Sequence, residues 1–174
     1  MYSSEIIIIG GGMVGLSIAY QLIERGISKD IIIIDKENNL GCHTSGRNSG
    51  VLHAGIYYKP GSLKAKVCIN GSRRLQNWIK DRKLTINPCG KIIIPTRSDQ
   101  DDQLDLLLER GKKNGANVEL IKQKKLQEIE PYTESPSGRA IWSPNTVVVK
   151  PLEIISNLEK ELEEKGVTFL KGIN

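Results

Sequence analysis

Residues 6–35 read IIIIGGGMVGLSIAYQLIERGISKDIIIID, and the fold is decided here. A β-branched run that ends at glycines predicts a short strand over Glu5–Ile9, buried on both faces. A helix is expected over Val14–Arg25, with Val14, Ile18, Leu22 and Ile23 at helical spacing and Gly26 just past its end. The second isoleucine run, Ile31–Ile34, predicts another buried strand that ends at Asp35. Strand, glycine turn, helix and strand make one βαβ unit.

Gly10, Gly12 and Gly15 satisfy the pattern GxGxxG. Alone it is weak evidence, because glycine-rich turns are common. Here it follows a strand, opens a helix, and has Asp35 twenty residues beyond Gly15, which is the full context of a dinucleotide fingerprint. Gly10 permits the tight turn, Gly12 lets backbone approach a pyrophosphate, and Gly15 lets helix and strand pack closely. The amides of Met13 and Val14 lie at the positive end of the helix, where an anion binds. Asp35 can accept hydrogen bonds from ribose hydroxyls, with Lys36 beside it. An acid here disfavours a 2′-phosphate, so NAD or FAD is expected rather than NADP, and the fingerprint does not separate those two. The remaining alternative is a structural glycine turn without a ligand.

The 174 residues carry a net charge of +5, are 39% hydrophobic and 26% charged, and fit a folded protein of one domain or a little more. Lysines are scattered, which reads as solvated surface and not as a nucleic-acid face. Cys42, Cys68 and Cys89 are odd in number, far apart and without CxxC spacing, so neither a disulfide framework nor a metal site is expected. Ile6–Ile23 is uncharged, yet its glycines, Ser17 and Gln21 argue against a membrane span. The start lacks the basic segment of a secretory signal. The expected location is cytoplasmic, with peripheral attachment to an inner membrane as an alternative.

Further along, Gly41–Gly61 reads as loop, and a helix is expected from about Leu63 to Lys83, carrying Ala65, Ile69, Trp78 and Ile79. Lys91–Pro95 predicts a strand. Asp99–Asn114 predicts a helix with Leu104, Leu107 and Leu108 facing inward and Asn114-Gly115 as its stop. Val118–Ile121 and Ala140–Trp142 predict strands on either side of a short helix that ends before Pro131. Pro151 opens a last helix, with Leu152, Ile155, Leu158 and Leu162 on one face, and Val167–Leu170 is the final strand.

Taken together, IIIIGGGMVGLSIAYQL, IIIIDKE and TSGRNSGVLHAGIYYKPGSLKAKVC resemble the FAD-dependent oxidoreductases of the D-amino-acid oxidase type. Within them the similarity is greatest to the L-2-hydroxyglutarate dehydrogenases and oxidases, and it continues through GKIIIPT, LLERGKKNGANVELI and IWSPNT. The resemblance implies FAD as cofactor and oxidation of a 2-hydroxy acid to a 2-oxo acid, with electrons passed on to a quinone or another acceptor. It implies a doubly wound, Rossmann-like α/β FAD-binding domain interrupted by an inserted mixed sheet of the substrate domain. The expected boundaries are 1–89 and 146–174 for the FAD-binding part and 90–145 for the insertion, with further strands and a second flavin-contacting segment beyond this chain.

The same resemblance places Thr44, Ser45 and Arg47 by the pyrophosphate and ribityl chain, and Asn48, Ser49, Gly50 and Val51 beside the flavin ring. His53 becomes the candidate catalytic residue, as acceptor of the substrate hydroxyl proton. Its alternatives are a buried histidine bonded to backbone and a covalent tether to the flavin. Tyr57, Tyr58, Lys59, Ser62, Lys64 and Lys66 are candidates for meeting a dicarboxylate; His43 receives no role. Val147 and Lys150 depart from the family, where a glycine and then an acid tend to follow SPxT. Two other readings stay open: a piece of a split gene that binds FAD weakly, and an NAD- or adenosine-binding module. Self-association through exposed apolar edges, or pairing with a missing C-terminal half, is also expected.

Overall fold

The computed structural model describes residues 2–173. In chain order the elements are β1 (Ile6–Ile9), α1 (Met13–Glu24), β2 (Ile31–Asp35), β3 (Val51–Leu52), α2 (Leu63–Asp81), β4 (Ile86–Asn87) and β5 (Lys91–Ile93). They continue with a 3₁₀ turn (Ser98–Gln100), α3 (Asp101–Lys113), β6 (Glu119–Lys122), α4 (Gln123–Ile129), β7 (Arg139–Ser143), β8 (Val147–Val149), α5 (Pro151–Glu164) and β9 (Thr168–Lys171). The chain forms two compact units. One comprises the chain up to Gly50 and from Lys150 onward, and the other is Val51–Val149.

The first unit is a parallel sheet in the order β1-β2-β9. Ile6 pairs with Ile31 and Ile9 with Ile34, while Asp35 pairs with Lys171, so the last strand lies beside the Asp35 strand as expected. Ile31, Ile32 and Ile33 of the central strand are buried. The expectation that β1 is buried on both faces does not hold: Ile7 and Ile9 are 55% and 88% exposed. Only the Ile8 face meets α1, where a Cβ built on Gly15 would lie 3.2 Å from Ile8 Cγ2.

Helix α1 differs from expectation in the same direction. It buries Gly15, Leu16, Ala19 and Ile23, and leaves Val14 and Ile18 exposed. Both stripes are apolar, so periodicity alone could not choose between them; packing against α5 did. Pro151 occupies the first turn of α5, where no intrahelical amide is lost. That helix buries Ile154, Ile155, Leu158 and Leu162, whereas Leu152, expected on the inner face, is exposed. An ion pair between Lys165 Nζ and Glu24 Oε1, 2.9 Å apart, links the C-terminal ends of the two helices.

The second unit holds two three-stranded antiparallel sheets, β3-β8-β4 and β5-β7-β6. Within this chain the inserted sheet is therefore antiparallel, not mixed. Its core gathers Ile56, Leu104, Val118 and Ile141, with Leu107 and Leu108 packed against them, so the predicted inward leucines of α3 do face inward. A second cluster joins Ile121, Leu126 and Ala140 to Trp142. Arg139 of β7 holds α3 to the sheet through Asp101 and Asp105, at 2.9 and 2.5 Å, and its hydrogen bond holds the Asp101 carboxyl below the ordinary range.

Three strands were not anticipated. β3 and β4 have two residues each and β8 has three, too short for a period to declare itself. Their pairing carries residues 51–89, including α2, into the second unit, so the chain divides at Gly50 and at Val149 where the sequence had suggested 89 and 145.

Candidate functional site

The glycine turn between β1 and α1 is built as the fingerprint requires. Gly10 has φ of +103°, and its amide donates to Ile34 O at 2.8 Å. A Cβ on Gly15 would lie 2.0 Å from Gly10 O, so helix and turn touch through backbone alone. A Cβ on Gly12 would lie 2.8 Å from Ser45 Oγ, on the approach to the helix N-terminus. Asp35 does something that the sequence did not reveal. Its Oδ2 accepts from Gly11 N at 2.7 Å and its Oδ1 from Glu37 N at 2.9 Å, so the carboxylate clamps the turn to the end of β2 while each oxygen keeps a further lone pair. Lys36 is exposed, 4.0 Å from Glu37 Oε1.

Gly12, as N-cap of α1, offers no side chain, and the loop supplies one: Met13 N donates to Ser45 Oγ at 3.0 Å. The Ser45 hydroxyl thus satisfies one of the helix's orphan amides and retains its own proton to donate toward an anion. Ser45→Ala is expected to lower stability by about 1 kcal/mol. Urea unfolding followed by circular dichroism checks this.

Asn48 shapes the loop. Its amide donates to Thr44 O and Ser45 O at 3.1 and 2.8 Å, and its Oδ1 accepts from Gly50 N at 2.9 Å. Thr44, Arg47 and Ser49 are exposed, and the Arg47 guanidinium meets no carboxylate among the described residues. His43, given no role from sequence, pairs with Glu37 at 2.8 Å. The turn, Asp35 and the loop through Gly50 all belong to the first unit; Val51 begins the second, in register with Val148.

In the second unit, residues 53–58 form a rigid loop. Ile56 is sunk in the core, and Asn114 Nδ2, at the C-cap of α3, donates to Gly55 O and Tyr58 O at 2.9 Å each. The residue read from sequence as a helix stop is also the clamp of this loop. Cys68 Sγ of α2 donates to His53 O at 3.2 Å. The imidazole itself is exposed and makes no hydrogen bond among the described residues, so the reading of a buried histidine bonded to backbone fails. Partial burial, and then the charge of Lys91, hold its pKa below the usual 6.5. His53, Tyr57, Tyr58 and Lys91 line a concavity of about 110 Å³. Lys91 was missed as a site residue because nothing in the local sequence ties β5 to the loop. Lys59, Lys64 and Lys66 are exposed and do not line it.

A glycine cradle at a helix N-terminus, an acid at the end of the second strand and a polar loop define a dinucleotide-binding protein of the doubly wound α/β class. The chain matches the FAD dependent oxidoreductase family, DAO, over residues 5–173, and it belongs to that family. It is 37% identical over 169 residues to human mitochondrial L-2-hydroxyglutarate dehydrogenase, covering 97% of this chain and 36% of the relative. The corresponding protein of Nematostella vectensis is 41% identical, with 97% and 37% covered. The L-2-hydroxyglutarate dehydrogenase of Escherichia coli is 35% identical over 162 residues, with 93% and 38% covered. The chain thus spans little more than a third of the length of these curated relatives.

Among solved structures, FAD-bound L-α-glycerophosphate oxidase from Mycoplasma pneumoniae superposes with a TM-score of 0.86 at 23% identity, covering 99% of this chain and 45% of that one. Glycine oxidase from Geobacillus kaustophilus gives 0.85 at 18% identity, with 99% and 47% covered. These likenesses establish the fold. No helix among the described residues is long and apolar enough to cross a membrane.

Proposed function

We propose that this chain is the dinucleotide-binding part of an FAD-dependent enzyme that oxidises an L-2-hydroxy acid of the 2-hydroxyglutarate class to the 2-oxo acid. The observation that carries the reading is the glycine cradle, in which a side chain at Gly15 would strike Gly10 O at 2.0 Å, with the α1 N-terminus beside it capped by nothing bulkier than the Ser45 hydroxyl. The residues fit the cofactor's diphosphate chemically. Gly10, Gly12 and Gly15 keep the approach clear, the Val14 amide and the Ser45 hydroxyl, which itself takes the Met13 amide, offer donors, and Arg47, without a carboxylate partner among the described residues, offers charge. Asp35 retains lone pairs for ribose hydroxyls, with Lys36 beside it. Thr44, Ser49, Gly50 and Val51 are the residues that would meet the flavin end of a bound cofactor, and Asn48 holds that segment in shape.

FAD, when bound, supplies the two-electron acceptor for the hydride that leaves the substrate's Cα. The chain's own residues bind, orient and move the proton. His53 lies three residues beyond Gly50, and partial burial, then the Lys91 charge, lower its pKa and favour the neutral imidazole, whose unprotonated ring nitrogen can take the 2-hydroxyl proton. The onward acceptor we assign is a quinone or a comparable electron carrier, with the enzyme in the cytoplasm or at the face of an inner membrane.

Visible absorption of the purified chain before and after adding FAD, followed by desalting and acid precipitation, tests the reading. Flavin bands that survive desalting and leave with the acid supernatant support a non-covalent site; retention in the precipitate points to a tether at His53. A protein that stays colourless while binding free adenosine would instead favour a nucleotide module. In the protein that carries this segment, L-2-hydroxyglutarate should bleach the flavin band under anaerobic conditions, and a band that only L-amino acids bleach would sink the substrate assignment.

A further inference from the structure

We propose that Lys91, Tyr57 and His53 form a carboxylate-binding subsite in the second unit, which takes one carboxylate of the substrate. The inference rests on the 2-hydroxy-acid reading above and names a part of its pocket.

Lys91 Nζ sits 4.8 Å from the centroid of the Tyr57 ring, and Lys91 has no carboxylate partner among the described residues. What sets Lys91 apart is its place: its ammonium lies over a ring of the concavity that it lines, whereas Lys113, Lys125, Lys165 and Lys171 each reach a glutamate within 2.9 Å. The ring holds the ammonium by cation–π attraction without neutralising it. The groups facing His53 can be named. From β5 comes Lys91, from its own loop Tyr57 and Tyr58, and from α2 Cys68, whose thiol burial pushes up and so keeps neutral. No acid lines the concavity. The site is thus one fixed positive charge beside an imidazole with no bound partner, a combination that a carboxylate completes with an ion pair and one hydrogen bond.

Size selects the class further. At about 110 Å³ the concavity lies well below the roughly 300 Å³ of a pocket that encloses a whole small molecule, so it suits one end of a ligand. The walls are stiff. Ile56 and the Asn114 clamp fix the loop, and backbone pairing of Lys91 with Ser143 fixes the strand. A preformed site spends less of its binding energy on ordering.

The chain has two histidines, and His43→Gln leaves one imidazole signal to follow by NMR. The probe is glutarate, a dicarboxylate without the reacting hydroxyl, compared with chloride and inorganic phosphate at equal ionic strength. Glutarate should raise the His53 midpoint by about half a pH unit or more, because an anion offsets the lysine charge. Chloride and phosphate should move it far less. Lys91→Met should raise the midpoint without any ligand and abolish the glutarate effect, while Lys91→Arg should keep it. A wild-type midpoint that glutarate leaves unmoved, an equal shift by all three anions, or a glutarate shift that survives Lys91→Met would each overturn the subsite. No flavin or turnover enters this test. If FAD binds and L-2-hydroxyglutarate bleaches it while His53 ignores glutarate, only the subsite fails; if glutarate shifts His53 but 2-hydroxy acids never bleach the flavin, the subsite stands and the substrate reading falls.

Discussion

Gly15→Ala is expected to lose FAD from the purified protein on desalting and to lower stability by about 3 kcal/mol or more. The reason is geometric. The added Cβ would lie 2.0 Å from Gly10 O and 3.2 Å from Ile8 Cγ2, and the first of these neighbours is backbone that no rotamer can move. Either α1 lifts off β1 or the turn opens. Lifting α1 disturbs Leu16, Ala19 and Ile23, the residues it buries. Opening the turn moves Gly11 away from Asp35 and breaks the 2.7 Å bond that ties it to β2. Both routes also displace Met13 N from Ser45 Oγ and so spoil the anion-facing end of the helix. Gly26→Ala is the control, because a Cβ there meets nothing within 4 Å; its φ of +65° costs backbone strain but leaves the cradle intact. Urea unfolding and the ratio of flavin to protein absorbance after desalting measure both quantities. A Gly15→Ala protein that kept its flavin and its unfolding midpoint would show that the cradle does not work as described.

The difference between what the sequence made legible and what it hid follows from the range of the interactions. The βαβ unit was legible because its signals are local: β-branched runs, a glycine spacing and an acid at a strand end all lie within 30 residues. Pro151 as a helix start was legible for the same reason. The inner face of α1 was not, since Val14 and Leu16 are equally apolar and only the position of α5 decides which is covered. Strands of two residues have no period to detect, and β3, β4 and β8 exist because backbone partners arrive from distant segments. The same holds for the site. The residues proposed for the cofactor fall in three short stretches between Gly10 and Val51, each a local pattern that resemblance alone could propose, but that Asp35 and Asn48 spend hydrogen bonds on the chain itself is a three-dimensional fact. Lys91 stands 38 residues from His53, and its meaning comes from charge and proximity that no local pattern encodes.

Ile56→Ala carries the second large effect. Ile56 is 2% exposed among Leu104, Val118 and Ile141, and truncating it leaves a cavity in a core of few residues, so a loss of about 2–5 kcal/mol is expected. The consequence extends beyond stability, because Ile56 is the apolar anchor of the loop that carries His53 on one side and Tyr57 on the other. With the anchor gone, the loop keeps the Asn114 clamp, the Cys68 contact and the packing of Ala54, but loses its one deeply buried side chain. His53 should then become better solvated and move away from Lys91, and its pKa should rise toward the ordinary value. The sign of the linked effect follows. In the wild type the folded pKa is lowered, so the unfolded chain binds the extra proton, and His53 disfavours the folded state once pH falls below its ordinary value. The Ile56→Ala protein should therefore be much less stable than wild type at about pH 8, with that gap narrowing slightly at about pH 5.5. Urea unfolding at the two pH values, with the His53 midpoint followed in the His43→Gln background, separates the packing loss from the titration. A protein that lost several kcal/mol yet kept the depressed His53 midpoint would place the rigidity of the site in the Asn114 clamp and not in the buried isoleucine.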